Sequence, residues 1–170
     1  MKYKWRQGLL LTAFLAGGQA RAQNSFTGSA TVTATIQTVV GLSLTNNQST
    51  SITLSSPSEY ANGYTIANFN TMVVKSNIAW QVSVASSTPY FSNSGVYSSS
   101  DMPASIIQLN VNGNATKIPL STTAQSLTTG SRGNGSQTGN TFNMDLSVNP
   151  GYSYGPGIYN ISLVYTLSAS

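Results

Sequence analysis

Most side chains that carry enzymatic chemistry are missing from this sequence. It has 170 residues with no histidine and no cysteine, and its acidic residues number three. Without imidazole or thiol there is no Ser-His-Asp or Cys-His nucleophile pair, and zinc and iron lose their usual ligands. What remains is two-carboxylate chemistry, in which one carboxyl protonates a glycosidic oxygen and the other serves as base or nucleophile. Glu59 and Asp101 fall in stretches that read as loops and would have to meet there. Asp145 alternates against Phe142 in "FNMDLSV", so it faces solvent if Phe142 faces the core. No other polar constellation supports such a site. The glycine-rich stretch "TTGSRGNGSQTGN", residues 128–140, surrounds Arg132 but lacks the Gly-Lys-Ser/Thr ending of a phosphate loop. It reads as a flexible connection. The sequence thus predicts no catalytic residue, no metal and no cofactor, and points to a binding or structural protein.

The start of the chain changes the charge reading. "MKYKWRQGLLLTAFLAGGQARA", residues 1–22, has a basic head, a short apolar run and a small-x-small ending at Ala20 to Ala22. That is the pattern of a secretory signal peptide, and the apolar run is too short to span a bilayer. Cleavage after Ala22 would remove four of the seven cationic residues: Lys2, Lys4, Arg6 and Arg21. Lys75, Lys117 and Arg132 would then balance the three carboxylates, for a net charge of zero. Such a chain has no basic patch for nucleic acid and no polybasic membrane signal. A surface hydrated by Ser, Thr and Asn rather than by charge suits a molecule packed into an assembly or matrix.

The elements that must position any site are strands. Thr, Val, Ile, Tyr and Ser alternate between short turn signals, and no window carries a helical apolar period. In "SATVTATIQTVVGLSLT", residues 29–45, Val32, Ala34 and Ile36 share a face, which Leu42 and Leu44 continue after a shift. "SITL" at 51–54 reads as a short strand, and "NG" at 62–63 as a hairpin turn. Ile78, Trp80, Val82 and Val84 form one face. Residues 86–100 read as a long loop. Ile107, Leu109 and Val111 point inward before a second "NG" turn at 112–113. Phe142, Met144, Leu146 and Val148 alternate, and so do Tyr159, Ile161, Leu163, Tyr165 and Leu167 in the last strand. The prediction is one all-β antiparallel sandwich of about seven to nine strands, stabilised by core and sheet without disulfides.

Both ends of the chain carry a resemblance. "FTGSATVTATI", in which Phe26, Gly28, Ala30, Val32, Ala34 and Ile36 share parity, and the terminal "GIYNISLVYTLSAS" resemble a chaperone–usher pilin. The match is greatest to the alternate, colonisation-factor class of fimbrial major subunits. Those carry Asp-Pro where this chain has Gln37-Thr38. Spore-coat-U-like secreted β-domains share the same ending. The pilin resemblance implies an immunoglobulin-like, pilin-like sandwich over residues 38–170 that lacks its last strand. Residues 23–37 would then be a donor extension. The apolar face Phe26, Gly28, Ala30, Val32, Ala34 and Ile36 would enter a groove in the next subunit, lined partly by Tyr159, Ile161, Leu163, Tyr165 and Leu167. It further implies identical or related pilin subunits, a periplasmic chaperone and an outer-membrane usher as partners. The location implied is the cell surface, reached through the periplasm. The competing expectation is a monomeric secreted module that binds glycans or matrix components. Its candidate surface contacts are Tyr90, Phe91, Tyr97, Tyr152 and Tyr154.

Overall fold

Period-two alternation produces ten strands among the described residues, which in this computed structural model are 33–45 and 49–170. They are β1 (Val40–Leu44), β2 (Tyr64–Ser76), β3 (Trp80–Ser86), β4 (Ser92–Ser94), β5 (Ile107–Val111), β6 (Ile118–Pro119), β7 (Gln125–Gly130), β8 (Thr141–Val148), β9 (Ile158–Asn160) and β10 (Leu163–Ala169). All of these strands belong to one compact unit, residues 36–170. Every pairing is antiparallel: a five-stranded sheet in the order β1-β2-β8-β5-β6, a three-stranded sheet β10-β3-β7, and the small pair β4-β9. The protein is an all-β sandwich. No helix among the described residues is long and apolar enough to cross a membrane.

The core lies between the sheets and follows the alternation. Met72 and Val74 of β2, Ile107 and Leu109 of β5, and Met144 and Leu146 of β8 come from the larger sheet. Trp80, Val82 and Val84 of β3 and Leu127 of β7 oppose them. Each fully buried aliphatic side chain of this kind contributes about 1.5–3 kcal/mol. Trp80 also needs a partner for its indole N–H, which donates to the Ser131 carbonyl at 3.0 Å and to Asn140 Oδ1 at 3.1 Å. Asn140 is fully buried.

Five expectations are corrected. Residues 128–140 are not one flexible connection. Thr128 to Gly130 finish β7, and the turn after it is fastened by the Trp80–Asn140 contact. A short helix, α1 (Pro57–Asn62), stands where none was expected. Its signal is a capping box: Ser56 Oγ accepts from the Glu59 N–H at 3.2 Å, and Glu59 Oε2 accepts from the Ser56 N–H at 2.9 Å. "NG" at 62–63 closes that helix rather than a hairpin, with Gly63 at φ 76°. "SITL" at 51–54 is not paired as a strand, although Ile52 and Leu54 are half-buried while Ser51 and Thr53 are exposed. The stretch from Thr33 to Val39 is likewise outside any strand.

Asp145 lies on the outer face of β8, as its parity requires. Its carboxylate accepts from the Asn68 N–H at 2.8 Å. That bond steadies the register shift in β2 between Ile66 and Asn70, where Asn68 takes φ 53°, a conformation asparagine tolerates better than most residues.

Candidate functional site

Two sheet edges face each other across the sandwich. Among the described residues β1 pairs with β2 alone and β10 with β3 alone, so each leaves a free edge. Between them runs a groove of about 1240 Å³. Leu44, Ile52 and Leu54 form one wall and Ile161, Leu163 and Tyr165 the other, while Phe69, Asn70, Leu146 and Val148 reach it from between the sheets. Among the described residues, none of its lining side chains is charged. Free edges beside half-buried apolar side chains are the features native sheets usually cover or pair.

The groove has a definite end. Leu44, Asn70 and Tyr165 line it, whereas the next residues on the same face of those strands do not: Met72 is buried in the core, and Leu42 and Leu167 are partly buried against that core. All three steps lead the same way, toward the turn from Ser76 to Trp80: Val40 pairs with Ser76, and Ala169 with Trp80. At this end sit two polar groups with no hydrogen-bond partner among the described residues, Asn70 Oδ1 and the Tyr165 hydroxyl. Burial pushes the Tyr165 phenol well above the ordinary tyrosine range.

The far part of the groove is shaped by loops. Phe91 meets Tyr159 edge-on at 6.3 Å between ring centres. The Tyr159 hydroxyl donates to the Gly155 carbonyl and accepts from the Ser99 N–H at 2.9 Å, so it ties residues 97–99 to the chain leading into β9. Position 155 must be glycine, because a Cβ there would lie 1.9 Å from the Tyr97 carbonyl oxygen.

The predicted residues distribute as follows. Phe26, Gly28, Ala30 and Val32 lie outside the described residues. Ala34 and Ile36 are exposed and unpaired, Ile36 to 84%. Tyr159, Ile161, Leu163, Tyr165 and Leu167 are all half-buried on one face. The first four line the groove, and Leu167 lies beyond its end. The final strand is broken between β9 and β10, because Ile158 to Asn160 leave the sheet to pair with β4. Of the candidate surface aromatics, Tyr90, Tyr97 and Tyr152 are exposed, and Tyr152 stacks on Tyr60 at 5.6 Å. Tyr154 is half-buried along the groove. Phe91 is a correction: it is 9% exposed, an apolar ring drawn from a Ser-rich loop into the core. Sequence reasoning missed Asn70 and the groove-facing role of Ile52 and Leu54, which the alternation of "SITL" signals.

The three carboxylates sit in different settings. Glu59 caps α1, and the N–H groups of Ser55 and Ser56, then the Ser56 hydroxyl, hold its carboxyl below the usual carboxylate range. Asp145 holds the β2 irregularity, and Asp101 is exposed in a turn. Among the described residues no group of three His, Cys, Asp or Glu side chains is placed to hold a metal ion. In comparisons with known proteins, no family model and no curated protein matches the sequence.

Proposed function

We propose that this protein is a structural subunit of a bacterial surface fibre, in which residues 26–36 of one copy fill the groove of the next. The observation that carries this reading is the groove along the free edge of β10, with Ile161, Leu163 and Tyr165 turned into it at every second position. An extended segment laid there gains main-chain hydrogen bonds from the strand edge and specificity from alternate side chains, which is recognition by strand addition. Residues 26–36 have the complementary build, apolar at even positions and hydroxyl-bearing at Thr27, Ser29, Thr31, Thr33 and Thr35. Phe26, Val32 and Ile36 would each contribute roughly 1.5–3 kcal/mol on full burial. A neutral groove also suits a segment without charge. Before assembly the groove needs a temporary cover, the part the pilin resemblance gives to a periplasmic chaperone, with an outer-membrane usher for export.

The test is assembly of the secreted chain. A fibre subunit gives ladders that resist SDS without heating, and Ile161→Asp abolishes them. A single soluble species that binds glycans would favour the alternative module, whose ligand contacts would be the exposed rings of Tyr90 and Tyr97.

A further inference from the structure

We infer that the polar end of the groove selects an amide in the inserted strand, and that Asn24 of a second copy supplies it. The inference rests on the strand-insertion reading and adds what fixes the register of insertion. Asn70 is 2% exposed, and its Oδ1 has no partner among the described residues; the Tyr165 hydroxyl is equally unpartnered. They come from β2 and β10, in opposite sheets, and both stand where the groove stops.

Buried polar groups without partners are rare in folded proteins because each costs the desolvation of that group. An aliphatic side chain seated against this end would make the loss permanent. A primary amide removes it twice over: its NH2 donates to Asn70 Oδ1, and its carbonyl accepts from the Tyr165 hydroxyl. A hydroxyl can serve both groups only by bridging them, and a charged group would meet no counter-charge, since no lining side chain among the described residues is charged.

The extension carries an amide at a suitable place. Asn24 has the parity of Phe26, Gly28 and Ala30, two residues ahead of the first apolar side chain, whereas Gln23 has the opposite parity. Seating Asn24 at the polar end makes the strand run antiparallel to β10, the sense of every strand pair in this fold. Phe26 and the residues after it then follow along the walls formed by Leu163 and Ile161. The polar end would act as a stop. A slip by one residue would bring Gln23 or Ser25 to it and turn the apolar face outward.

The experiment measures subunit release from assembled full-length secreted protein in denaturant, for Asn24→Leu, Gln23→Leu, Asn70→Leu and Tyr165→Phe, alone and combined. Asn24→Leu should accelerate release roughly tenfold, the loss expected when buried polar groups are left unpaired, and Gln23→Leu less than about twofold. In the Tyr165→Phe or Asn70→Leu background the effect of Asn24→Leu should shrink to within about threefold, because the groups it served are gone. Tyr165→Phe removes one oxygen and keeps the ring, so it decides the matter if Asn70→Leu fails to fold. Equal effects of Asn24→Leu and Gln23→Leu, or an undiminished Asn24→Leu effect in the Tyr165→Phe background, would overturn the inference while fibres still form. Wild-type protein that forms no fibres, or Val32→Asp fibres as stable as wild type, would instead bring down the insertion reading and this inference with it.

Discussion

Placing an aspartate on alternate positions of the N-terminal segment separates insertion from every other use of it. In the subunit Ile36 is 84% exposed, and Thr33 and Thr35 are exposed as well. Ile36→Asp, Thr33→Asp and Thr35→Asp should therefore each change subunit stability by less than about 0.5 kcal/mol. The inserted state responds differently. Ile36→Asp forfeits about 2–3 kcal/mol of apolar burial. The new carboxyl finds no cation in the groove lining, so it must be protonated to enter. From an ordinary aspartate value near 3.9, that costs about 4 kcal/mol at pH 7. The sum, about 6 kcal/mol, is a factor of roughly ten thousand in the insertion equilibrium. Val32→Asp should behave alike, whereas Thr33→Asp and Thr35→Asp keep their charge in water. The assay is an unheated SDS ladder for each variant, beside a thermal melt of its unassembled subunit. Ladders lost at positions 32 and 36 and kept at 33 and 35, with unchanged subunit melts, is the expected result. If the inward variants instead melt early as subunits, or form ladders as well as the outward ones, the reasoning is wrong.

Other consequences concern the scaffold. Gly130→Ala would set a Cβ 2.1 Å from Trp80 Cζ2, with Trp80 fully buried, so the melting midpoint should fall by an amount matching about 1–3 kcal/mol of overpacking. Asn140→Ala should cost about 1–3 kcal/mol in denaturant unfolding, since the Trp80 indole keeps only the Ser131 carbonyl and buried groups lose their partner. The Glu59 carboxyl is held below its usual range in the folded chain, so its capping contribution is complete above the unfolded carboxylate range and is lost as pH falls through the lowered folded value. The protection of the Ser55 and Ser56 amides against exchange, relative to their intrinsic rates, should fall on that acid side, and Glu59→Gln should flatten the dependence while keeping the cap.

Alternation made the sandwich faces legible. Trp80, Val82 and Val84, and Met144 and Leu146, are buried as their parity requires, and so is the half-buried row from Tyr159 to Leu167. Partnership was not legible, because period two states which face is apolar and not which strand lies beside it. β2 and β3 follow one another in sequence yet belong to different sheets. The six-residue helix α1 is too short to show a helical period, and only Ser56 and Glu59 announce it. Phe91, Asn140 and Asn70 escaped for a related reason. An aromatic in a Ser-rich loop and two amides have no pattern of their own, and their burial is decided by contacts with Tyr159, with Trp80 and with the groove end. The groove wall at Ile52 and Leu54 was visible as alternation, but its missing strand partner was not.

The absence of native cysteine makes the central claim directly measurable. Two populations of the secreted chain are prepared, one carrying Gly28→Cys in the N-terminal segment and the other Ile161→Cys in the groove wall. They are mixed during assembly and oxidised, with Ser29→Cys replacing Gly28→Cys as the outward control. Insertion of one copy's segment into another's groove predicts a disulfide between the two populations for Gly28→Cys and a much weaker one for Ser29→Cys. Equal cross-linking of both, or no product joining the two populations, would contradict it.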